Sequence, residues 1–348
     1  MKPEFWQGKR VLVTGHTGFK GSWLAFWLSS LGADVYGYAL EPDTEPNLFT
    51  QLDIAGRVKS VIGDIRDLEA LKSSFAEAKP DIVLHLAAQA LVRRSYRLPV
   101  ESFETNVMGT VHVLEALREV EAQAAVIVTT DKVYENDELG RAYVEDDVLG
   151  GYDPYASSKA CAEIATAAYR RSFFGEGGTR IATARAGNVI GGGDWSEDRL
   201  LPDVFRSLVF GRELMIRSPE AIRPWQHVLD PLNGYLTLAE KLCESSEFAE
   251  AWNFGPPATD AKPVSWIVER VLDTWGAAAE ITMAEGNQPH ESHLLSLDSS
   301  KAINRLGWHP SIPLPEAINL TADWYRSFKD GGDISAITAR QITNFQGK

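Results

Sequence analysis

Cysteine is nearly absent from this sequence, and long apolar runs are missing altogether. Its two cysteines, Cys161 and Cys243, are too few for a disulfide framework and lack the close spacing of a metal site. No apolar run approaches the roughly 20 residues that a membrane helix needs, and residues 1–8 lack the pattern of a signal peptide. We therefore expect a cytoplasmic protein with no membrane partner, and no cluster of His, Cys and Asp indicates a metal.

Basic residues are also scarce. The chain of 348 residues has 34 Lys and Arg against 48 Asp and Glu, a net charge of -14, which argues against a nucleic-acid or anionic-membrane surface. An anionic substrate would need local positive charge. Internal repeats and low-complexity segments are absent as well, so neither a solenoid nor a disordered tail is indicated.

Short apolar runs alternate with longer periodic segments from residue 10 onward. This alternation is typical of strands that cross over through helices into a parallel sheet. It predicts an α/β fold with a Rossmann-like, doubly wound parallel sheet. The predicted strands are residues 10–14, 34–40, 58–62, 81–86, 125–129 and 181–184, and the predicted helices are residues 22–31, 68–78, 107–120 and 155–174.

The chain changes character after Asn188, where glycine-rich and proline-rich loops separate the later helices. We expect two domains. The Rossmann domain would comprise residues 1–187, with a segment returning to it near 229–260. A smaller, mostly C-terminal α/β domain would comprise residues 188–228 and 261–340 and bind the substrate.

Three glycines, Gly15, Gly18 and Gly21, lie where the first strand should give way to the first helix. Glycines let the backbone approach a pyrophosphate closely, and the helix N-terminus faces its negative charge. The alternative is a tight turn with packing glycines. The order of strand, glycines and helix favours a dinucleotide site, which also includes His16, Thr17 and Phe19.

The end of the second strand bears on the choice of cofactor. Folds that prefer NAD usually place an acid there to hold the ribose hydroxyls, but the strand reads Tyr38-Ala39-Leu40 and Glu41 comes late. The lack of an acidic residue at the end of the second strand is compatible with NADP, whose extra phosphate usually binds a nearby Arg or Lys. The loop that follows is acidic instead, so we favour NAD.

Tyr155 and Lys159 are four residues apart and would share one face of a helix. Asp153 is a plausible N-cap, with Pro154 at the first helical position. Oxidation of a secondary alcohol needs a base for the hydroxyl proton, and a neighbouring ammonium favours the tyrosinate. Thr130, at the end of the fifth strand, would bind the same hydroxyl. On an exposed helix such a pair is usually solvent-exposed and has no catalytic role, but the position of this pair after the fifth strand favours a catalytic role.

The Gly-x-x-Gly-x-x-Gly spacing resembles the extended, sugar-nucleotide-modifying branch of the short-chain dehydrogenase/reductase superfamily. The resemblance covers nearly the whole chain and implies NAD as the cofactor. It also implies that Asp64 contacts the adenine, and it places several further residues at the cofactor, namely Ile65, Ala87, Ala88, Gln89 and Asn106.

Asp131 and Lys132 follow Thr130 directly. They resemble the acid/base pair of the branch's 4,6-dehydratases, and a Lys in the second position resembles those members that act on CDP-glucose. The implied chemistry is C4 oxidation, loss of water across C5 and C6, and return of the hydride to C6. Tyr155 would take the O4 proton, Asp131 would protonate O6 and Lys132 would take the C5 proton. The alternative is a solvated turn at a strand end.

The resemblance also implies a substrate site. Asn188 matches the branch's residue beside the sugar-nucleotide pyrophosphate, and Arg223 matches an arginine that grips a substrate phosphate. In the alternative interpretation, Trp195 and Trp225 are aromatic residues of the core, and His227 and His290 are histidines of surface loops. The full set of expected substrate residues is Gln89, Asn188, Asp194, Trp195, Arg199, Arg223 and His290.

These expectations combine into one functional hypothesis. The resemblance implies that CDP-glucose is the substrate and CDP-4-dehydro-6-deoxyglucose the product, as a precursor for lipopolysaccharide sugars. It further implies a homodimer that associates through helices 107–120 and 155–174. Two alternatives remain open. One is another nucleotide-sugar 4,6-dehydratase or a 4-epimerase of the branch, and the other is a non-catalytic NAD-binding sensor.

Overall fold

The computed structural model describes residues 1–136, 140–175, 177–277, 281–283 and 295–348. The strands of this part of the chain are β1 Arg10–Thr14, β2 Asp34–Ala39, β3 Lys59–Ile62, β4 Ile82–His85, β5 Ala124–Val128, β6 Arg180–Arg185, β7 Val189–Ile190, β8 Leu214–Ile216, β9 Ile222–Pro224, β10 Gln226–His227, β11 Ala251–Asn253, β12 Ala261–Pro263 and β13 Ile281–Met283.

The α-helices of the same residues alternate with these strands in the first half and dominate the second. They are α1 Phe19–Ser30, α2 Leu48–Gln51, α3 Ile54–Arg57, α4 Leu68–Ala78, α5 Val92–Arg97, α6 Pro99–Phe103, α7 Gly109–Leu117, α8 Pro154–Ser172, α9 Leu200–Phe210, α10 Leu229–Glu244, α11 Val264–Trp275, α12 Leu314–Lys329 and α13 Ile334–Gln346. Shorter 3₁₀ and π turns lie at Pro3–Trp6, Glu104–Met108, Asp131–Val133, Ser246–Phe248, Ala258–Asp260 and Ala302–Leu306.

A parallel sheet of seven strands, counted over the described residues, forms the centre of the molecule. Its order is β11-β6-β5-β4-β1-β2-β3, and every neighbouring pair in it is parallel. The strand order reverses between β1 and β4, and such a switch point opens a crevice at the carboxyl ends of the strands. The predicted fold class is confirmed.

The central strands are almost entirely apolar because helices cover both faces of the sheet. Val11 and Val13 of β1 pack in the larger core with Trp23 and Trp27 of α1. Leu12, whose side chain points to the other face, packs in a second core with Phe75 of α4. The sheet is thereby a rigid base for the loops at its carboxyl edge.

Helix α8 begins as the sequence predicts. The Asp153 side chain accepts a hydrogen bond from the Ala156 amide at 2.9 Å, and Pro154 occupies the first turn. This cap satisfies an amide that the helix itself leaves unpaired. The prediction of the cap is confirmed, and the cap fixes the start of the helix that presents Tyr155 and Lys159.

The chain beyond Asn188 builds a layer over the carboxyl edge of the sheet. Its short strands pair as β7 with β10, β9 with β12 and β8 with β13, beside helices α9 and α11–α13. Strand β11 joins the main sheet beside β6, within the segment predicted to return. The boundaries of the two domains remain a prediction. Across the described residues, no helix is both long and apolar enough to cross a membrane.

Candidate active site

The loop between β1 and α1 has room for glycine alone at two positions. A Cβ on Gly15, whose φ is 79°, would lie 2.6 Å from the Ala87 amide nitrogen. A Cβ on Gly21 would lie 1.9 Å from the Gly15 carbonyl oxygen. Both distances are shorter than any real contact. Gly15 therefore allows its loop to lie against the loop that follows β4, and Gly21, in the first turn of α1, allows the helix to lie against the Gly15 carbonyl.

The third glycine, Gly18, is exposed, and a Cβ on it would meet the Gly15 carbonyl oxygen at an ordinary contact distance of 3.5 Å. It is the N-cap of α1, and among the described residues no side chain caps this helix. The first amides of a helix carry partial positive charge and point along its axis. An open, uncapped helix N-terminus behind a glycine loop therefore fits the pyrophosphate of a dinucleotide.

Two polar side chains tie this loop to the second and third strands. The Thr17 hydroxyl donates to the Leu40 carbonyl at 2.8 Å, and the His16 Nε2 lies 2.7 Å from the Ser60 hydroxyl. The imidazole of His16 also packs against Gly37, where a Cβ would lie 2.3 Å from its Cδ2 atom. Burial lowers the pKa of His16 to about 4, so the ring is neutral. His16 and Thr17 thus shape the loop rather than supply charge.

A one-turn 3₁₀ helix, Asp131–Val133, holds the predicted acid/base pair at the end of β5. The Thr130 hydroxyl accepts a hydrogen bond from the Lys132 amide at 3.4 Å and donates to the Asp131 carboxylate at 2.9 Å. The Asn188 amide donates to the other carboxylate oxygen at 3.3 Å. Gly187 lies directly against this carboxylate, since a Cβ there would be 2.0 Å from the Asp131 Cγ.

Tyr155 is buried beside this turn. Burial raises the pKa of its phenol to about 12, while its side-chain hydrogen bond with Thr130 and the charge of Arg199 act in the opposite direction. The Lys159 ammonium lies one turn further along α8 and donates to the Val128 carbonyl at 3.1 Å. Burial, and then repulsion by Lys20, lower the pKa of Lys159 to about 7. The phenol is therefore positioned by the Thr130 side chain and the ammonium by a backbone carbonyl.

A buried ion pair supports the ends of β5 and β6. The Glu163 carboxylate accepts hydrogen bonds from the hydroxyls of Thr129 and Thr183 at 2.5 and 2.6 Å and from Arg185 at 2.9 Å. Arg185 in turn donates to the Tyr134 hydroxyl at 2.8 Å. Such a network is stable when its charges are fully paired, and it fixes the residue that precedes Thr130.

A cavity of about 310 Å³ opens above these residues. It brings together most of the catalytic and substrate residues that the sequence predicts. Those that line it are Phe19, Thr130, Asp131, Lys132, Tyr155, Asn188, Asp194, Arg199 and Arg223. A phenol, an ammonium, two carboxylates and two guanidinium groups among these residues thus face one cavity.

Comparison with known proteins places this site in a family. Residues 12–321 match the family model described as GDP-mannose 4,6 dehydratase. The chain belongs to the GDP-mannose 4,6-dehydratase family. The resemblance to the sugar-nucleotide dehydratase branch of the short-chain dehydrogenases is thereby confirmed.

Curated members of this dehydratase family match over almost their whole length. The CDP-glucose 4,6-dehydratase of Salmonella typhimurium is 50% identical, covering 98% of this chain and 97% of its own. The dTDP-glucose 4,6-dehydratase of Streptomyces antibioticus is 29% identical, covering 91% and 92%.

Solved structures agree with the fold. The dTDP-glucose 4,6-dehydratase of Streptomyces venezuelae, solved with NAD and TYD bound, superposes with a TM-score of 0.80 at 25% identity, covering 93% of this chain and 98% of that one. The UDP-glucose 4-epimerase of Thermus thermophilus, in complex with NAD, gives a TM-score of 0.80 at 26% identity, covering 91% and 98%.

Several residues predicted at the cofactor are held by protein contacts. Gln89 donates from its side chain to the Ser102 hydroxyl at 2.8 Å, and its backbone amide donates to the Asn106 side chain at 2.9 Å. Asp64 forms an ion pair with Arg66 at 2.6 Å, which lowers the pKa of the Asp64 carboxyl. Ile65 is buried, and Ala87 and Ala88 lie half-buried at the loop after β4.

Trp195, a predicted substrate residue, does not line the cavity. The indole of Trp195 packs in the core against Tyr325 and Phe328, with ring centroids 5.0 Å from each, while Trp225 lines the cavity. Tryptophan is common in both environments, so the sequence alone cannot separate them. His290 lies outside the described residues.

Three basic cavity residues, Lys20, Arg93 and Arg217, were not predicted from the sequence as site residues. Lys20 lies one position before Gly21, and burial, followed by repulsion from Arg199, lowers its pKa to about 8. Arg217 lies just after β8 and lines the cavity as well. Lys20 is part of the glycine motif and could have been suspected for that reason, whereas no local motif marks Arg217.

Proposed function

We propose that this protein converts CDP-glucose into CDP-4-dehydro-6-deoxyglucose. The observation that carries the proposal is the placement of Asp131 and Lys132 beside Thr130 and Tyr155 in one cavity. An enzyme that only oxidises or epimerises C4 has no use for this additional acid and base. Identity of 50% to a CDP-glucose 4,6-dehydratase supports the same substrate.

The glycine loop and the N-terminus of α1 would hold NAD by its pyrophosphate, and Asp64 and Ile65 would lie at its adenine. NAD supplies, when bound, the acceptor for the C4 hydride and its return to C6, so that no net redox change results. An acidic loop follows β2, with Glu41 and Asp43, and a 2′-phosphate would be repelled there. This supports NAD over NADP.

The oxidation step needs a base for the O4 proton. Tyr155 would supply it as a phenolate, although burial raises the pKa of its phenol. The positive charges of Lys159, one helical turn away, and of the NAD ring would favour that form. Thr130 lies within hydrogen-bonding reach of the phenol and would orient the same hydroxyl of the sugar. The three groups therefore remove the proton from O4 while the hydride leaves C4.

The elimination step needs a second base and an acid. The C4 ketone acidifies the C5 proton, and Lys132, as a neutral amine, takes it. Asp131, in its protonated form, donates a proton to the departing O6, and water leaves. Both side chains line the cavity with Tyr155, and hydrogen bonds from Thr130 and Asn188 hold the Asp131 carboxyl in place.

Replacing Lys132 with Met should stop exchange of the C5 proton with solvent and leave C4 oxidation detectable. General bases contribute about 10²- to 10⁴-fold to rate, and we expect a loss of this size in product formation. Exchange is followed by NMR in deuterated water. Lys132→Arg keeps the charge but cannot act as a base, so it should be equally inactive in exchange. Normal exchange in either variant would exclude Lys132 as the base.

Replacing Lys20 with Met should move the pH profile of the enzyme. Lys20 repels Lys159 and contributes to its pKa of about 7, so removing this charge raises the pKa of Lys159. The ammonium then persists to higher pH, and the break that Lys159 causes in kcat/KM against pH moves upward. Lys20→Arg keeps the repulsion and should leave the break in place. An identical break in both variants would contradict this coupling.

A panel of CDP-, dTDP-, GDP- and UDP-glucose with NAD tests the proposed function. Products are identified by mass and NMR. We expect a 4-dehydro-6-deoxy sugar from CDP-glucose in preference to the others. A 4-epimer as product, or a preference for another nucleotide, would replace this proposal by the corresponding member of the branch. Absence of any turnover together with tight NAD binding would favour a sensor.

We also propose that the protein is a homodimer. Apolar side chains remain exposed on the surface formed by the α6 region and α8, among them Val100, Met108 and Ile164 at 68%, 46% and 57% exposure. Burial of such a surface favours association. Val100→Glu together with Ile164→Glu should yield monomers in analytical ultracentrifugation, whereas a wild-type protein that is already monomeric would refute the dimer.

A further inference from the structure

Arg217 and Asp198 form an ion pair in the wall of the cavity. Asp198 belongs to the loop before α9, and Arg217 follows β8. Both therefore come from the layer that covers the sheet, and neither belongs to the β5 and α8 elements that carry the reacting groups. Tyr155 lines the same cavity as Asp198 and Arg217, so a nucleotide sugar with its hexose at Tyr155 can reach this pair with its base.

The pair leaves hydrogen-bonding capacity unused. Across the described residues, Arg217 bonds through one Nη atom to one carboxylate oxygen of Asp198, although a guanidinium has five N–H donors. The second carboxylate oxygen lies 3.9 Å from Arg97, a long contact. Both side chains are mostly buried, at 25% and 20% exposure. Further N–H donors of Arg217 and an acceptor oxygen of Asp198 therefore lie beside each other at the cavity.

The backbone at Asp198 supports a binding role. Its φ is 57°, in the left-handed region, which is uncommon for residues other than glycine. Asn188, which holds Asp131, has the same conformation at 49°. Unusual backbone conformations persist where the surrounding structure enforces them and are concentrated at functional sites.

We propose that Asp198 and Arg217 read the Watson–Crick edge of the cytosine base, which deepens and rests on the proposed function. Cytosine presents an amino donor at N4 and acceptors at N3 and O2. The Asp198 carboxylate accepts from N4, and the Arg217 guanidinium donates to N3 and O2. This is the same order of acceptor and donors that guanine offers to cytosine in a base pair.

Uracil and thymine oppose this arrangement at two positions. Their O4 atom is an acceptor and would face the carboxylate, and their N3–H is a donor and would face the guanidinium. A site built for hydrogen bonds rejects a ligand that leaves its buried polar groups unpaired. Two contacts of opposite polarity therefore select cytosine from bases of the same size.

Binding of CDP and UDP to the full-length protein with NAD, measured by calorimetry, tests this assignment. A well-placed bidentate contact discriminates between bases by roughly 10- to 100-fold, so we expect the wild type to prefer CDP by at least this factor. Arg217→Met should lower CDP affinity and reduce the CDP to UDP ratio. Asp198→Asn should also reduce the ratio, because its amide can turn to donate to O4 of uracil.

Arg97→Met is the matched control, since Arg97 approaches Asp198 but is exposed at 58%. It should leave the ratio unchanged. If Arg217→Met fails to fold, Asp198→Asn and Arg217→Lys carry the test. A ratio that stays the same in folded variants at both positions, or a wild type without preference for CDP, overturns this inference alone. Failure of the proposed function would give a different result from these two outcomes. The wild type would then form no dehydration product from CDP-glucose.

Discussion

Tyr155→Phe is expected to lower the rate of C4 oxidation of CDP-glucose by about 10³-fold, because the variant lacks the base that takes the O4 proton. The phenol is buried beside Thr130, and Lys159 lies one turn away, so no water replaces it readily. The change removes one oxygen atom and leaves the ring packing intact. The rate is measured from the absorbance of the reduced cofactor in single-turnover experiments.

Tyr152→Phe is a suitable control for this prediction. Tyr152 lies three residues before Tyr155 on the same chain segment, but its side chain is 77% exposed. The control should oxidise CDP-glucose at the wild-type rate, and both variants should bind CDP normally. A Tyr155→Phe enzyme that keeps most of its oxidation rate would show that another group takes the proton.

Gly187→Ala is expected to reduce dehydration by about 10²-fold or more, through displacement of the acid. The new Cβ would lie 2.0 Å from the Asp131 Cγ, so the carboxyl must leave its contacts with Thr130 and Asn188. Tyr155 and Lys159 are on α8 and stay in place. Oxidation of C4 should therefore continue while water loss fails, and the reduced cofactor should accumulate.

Gly175→Ala serves as the control substitution, because a Cβ at this position would meet none of the described residues within 4 Å. It should be active and stable. Thermal melting and NAD binding establish that Gly187→Ala is folded. Asp131→Asn should accumulate reduced cofactor in the same way as Gly187→Ala. Wild-type turnover in Gly187→Ala would mean that Asp131 is not the acid or that its position is not critical.

The parallel sheet was predictable because its central strands are buried on both faces and read as continuous apolar runs. The strand Arg10–Thr14 lies where the pattern predicts it, and the helix Leu68–Ala78 does so too. Strand β11 has three residues, too short for a periodic signal. Its place in the sheet depends on pairing with β6, a contact between residues far apart in sequence.

The site was predictable where its residues follow a strand or share a helix face. Thr130 and Asp131 follow the end of β5 by two and three residues, and Tyr155 lies on a helix whose cap is visible in the sequence. The positions of Arg217 and Trp195 were not predictable, because they depend on how the second half of the chain folds over the sheet. One of these side chains turns into the cavity and the other into the core.

The most direct test of the proposed reaction follows a label from C4 to C6. The protein with NAD is given CDP-glucose that carries deuterium at C4, and the product is examined by NMR and mass spectrometry. The account predicts CDP-4-dehydro-6-deoxyglucose with the deuterium at C6, because the same hydride leaves C4 and returns within one active site. Deuterium retained at C4 of an epimer, or a 6-deoxy product without deuterium at C6, would contradict it.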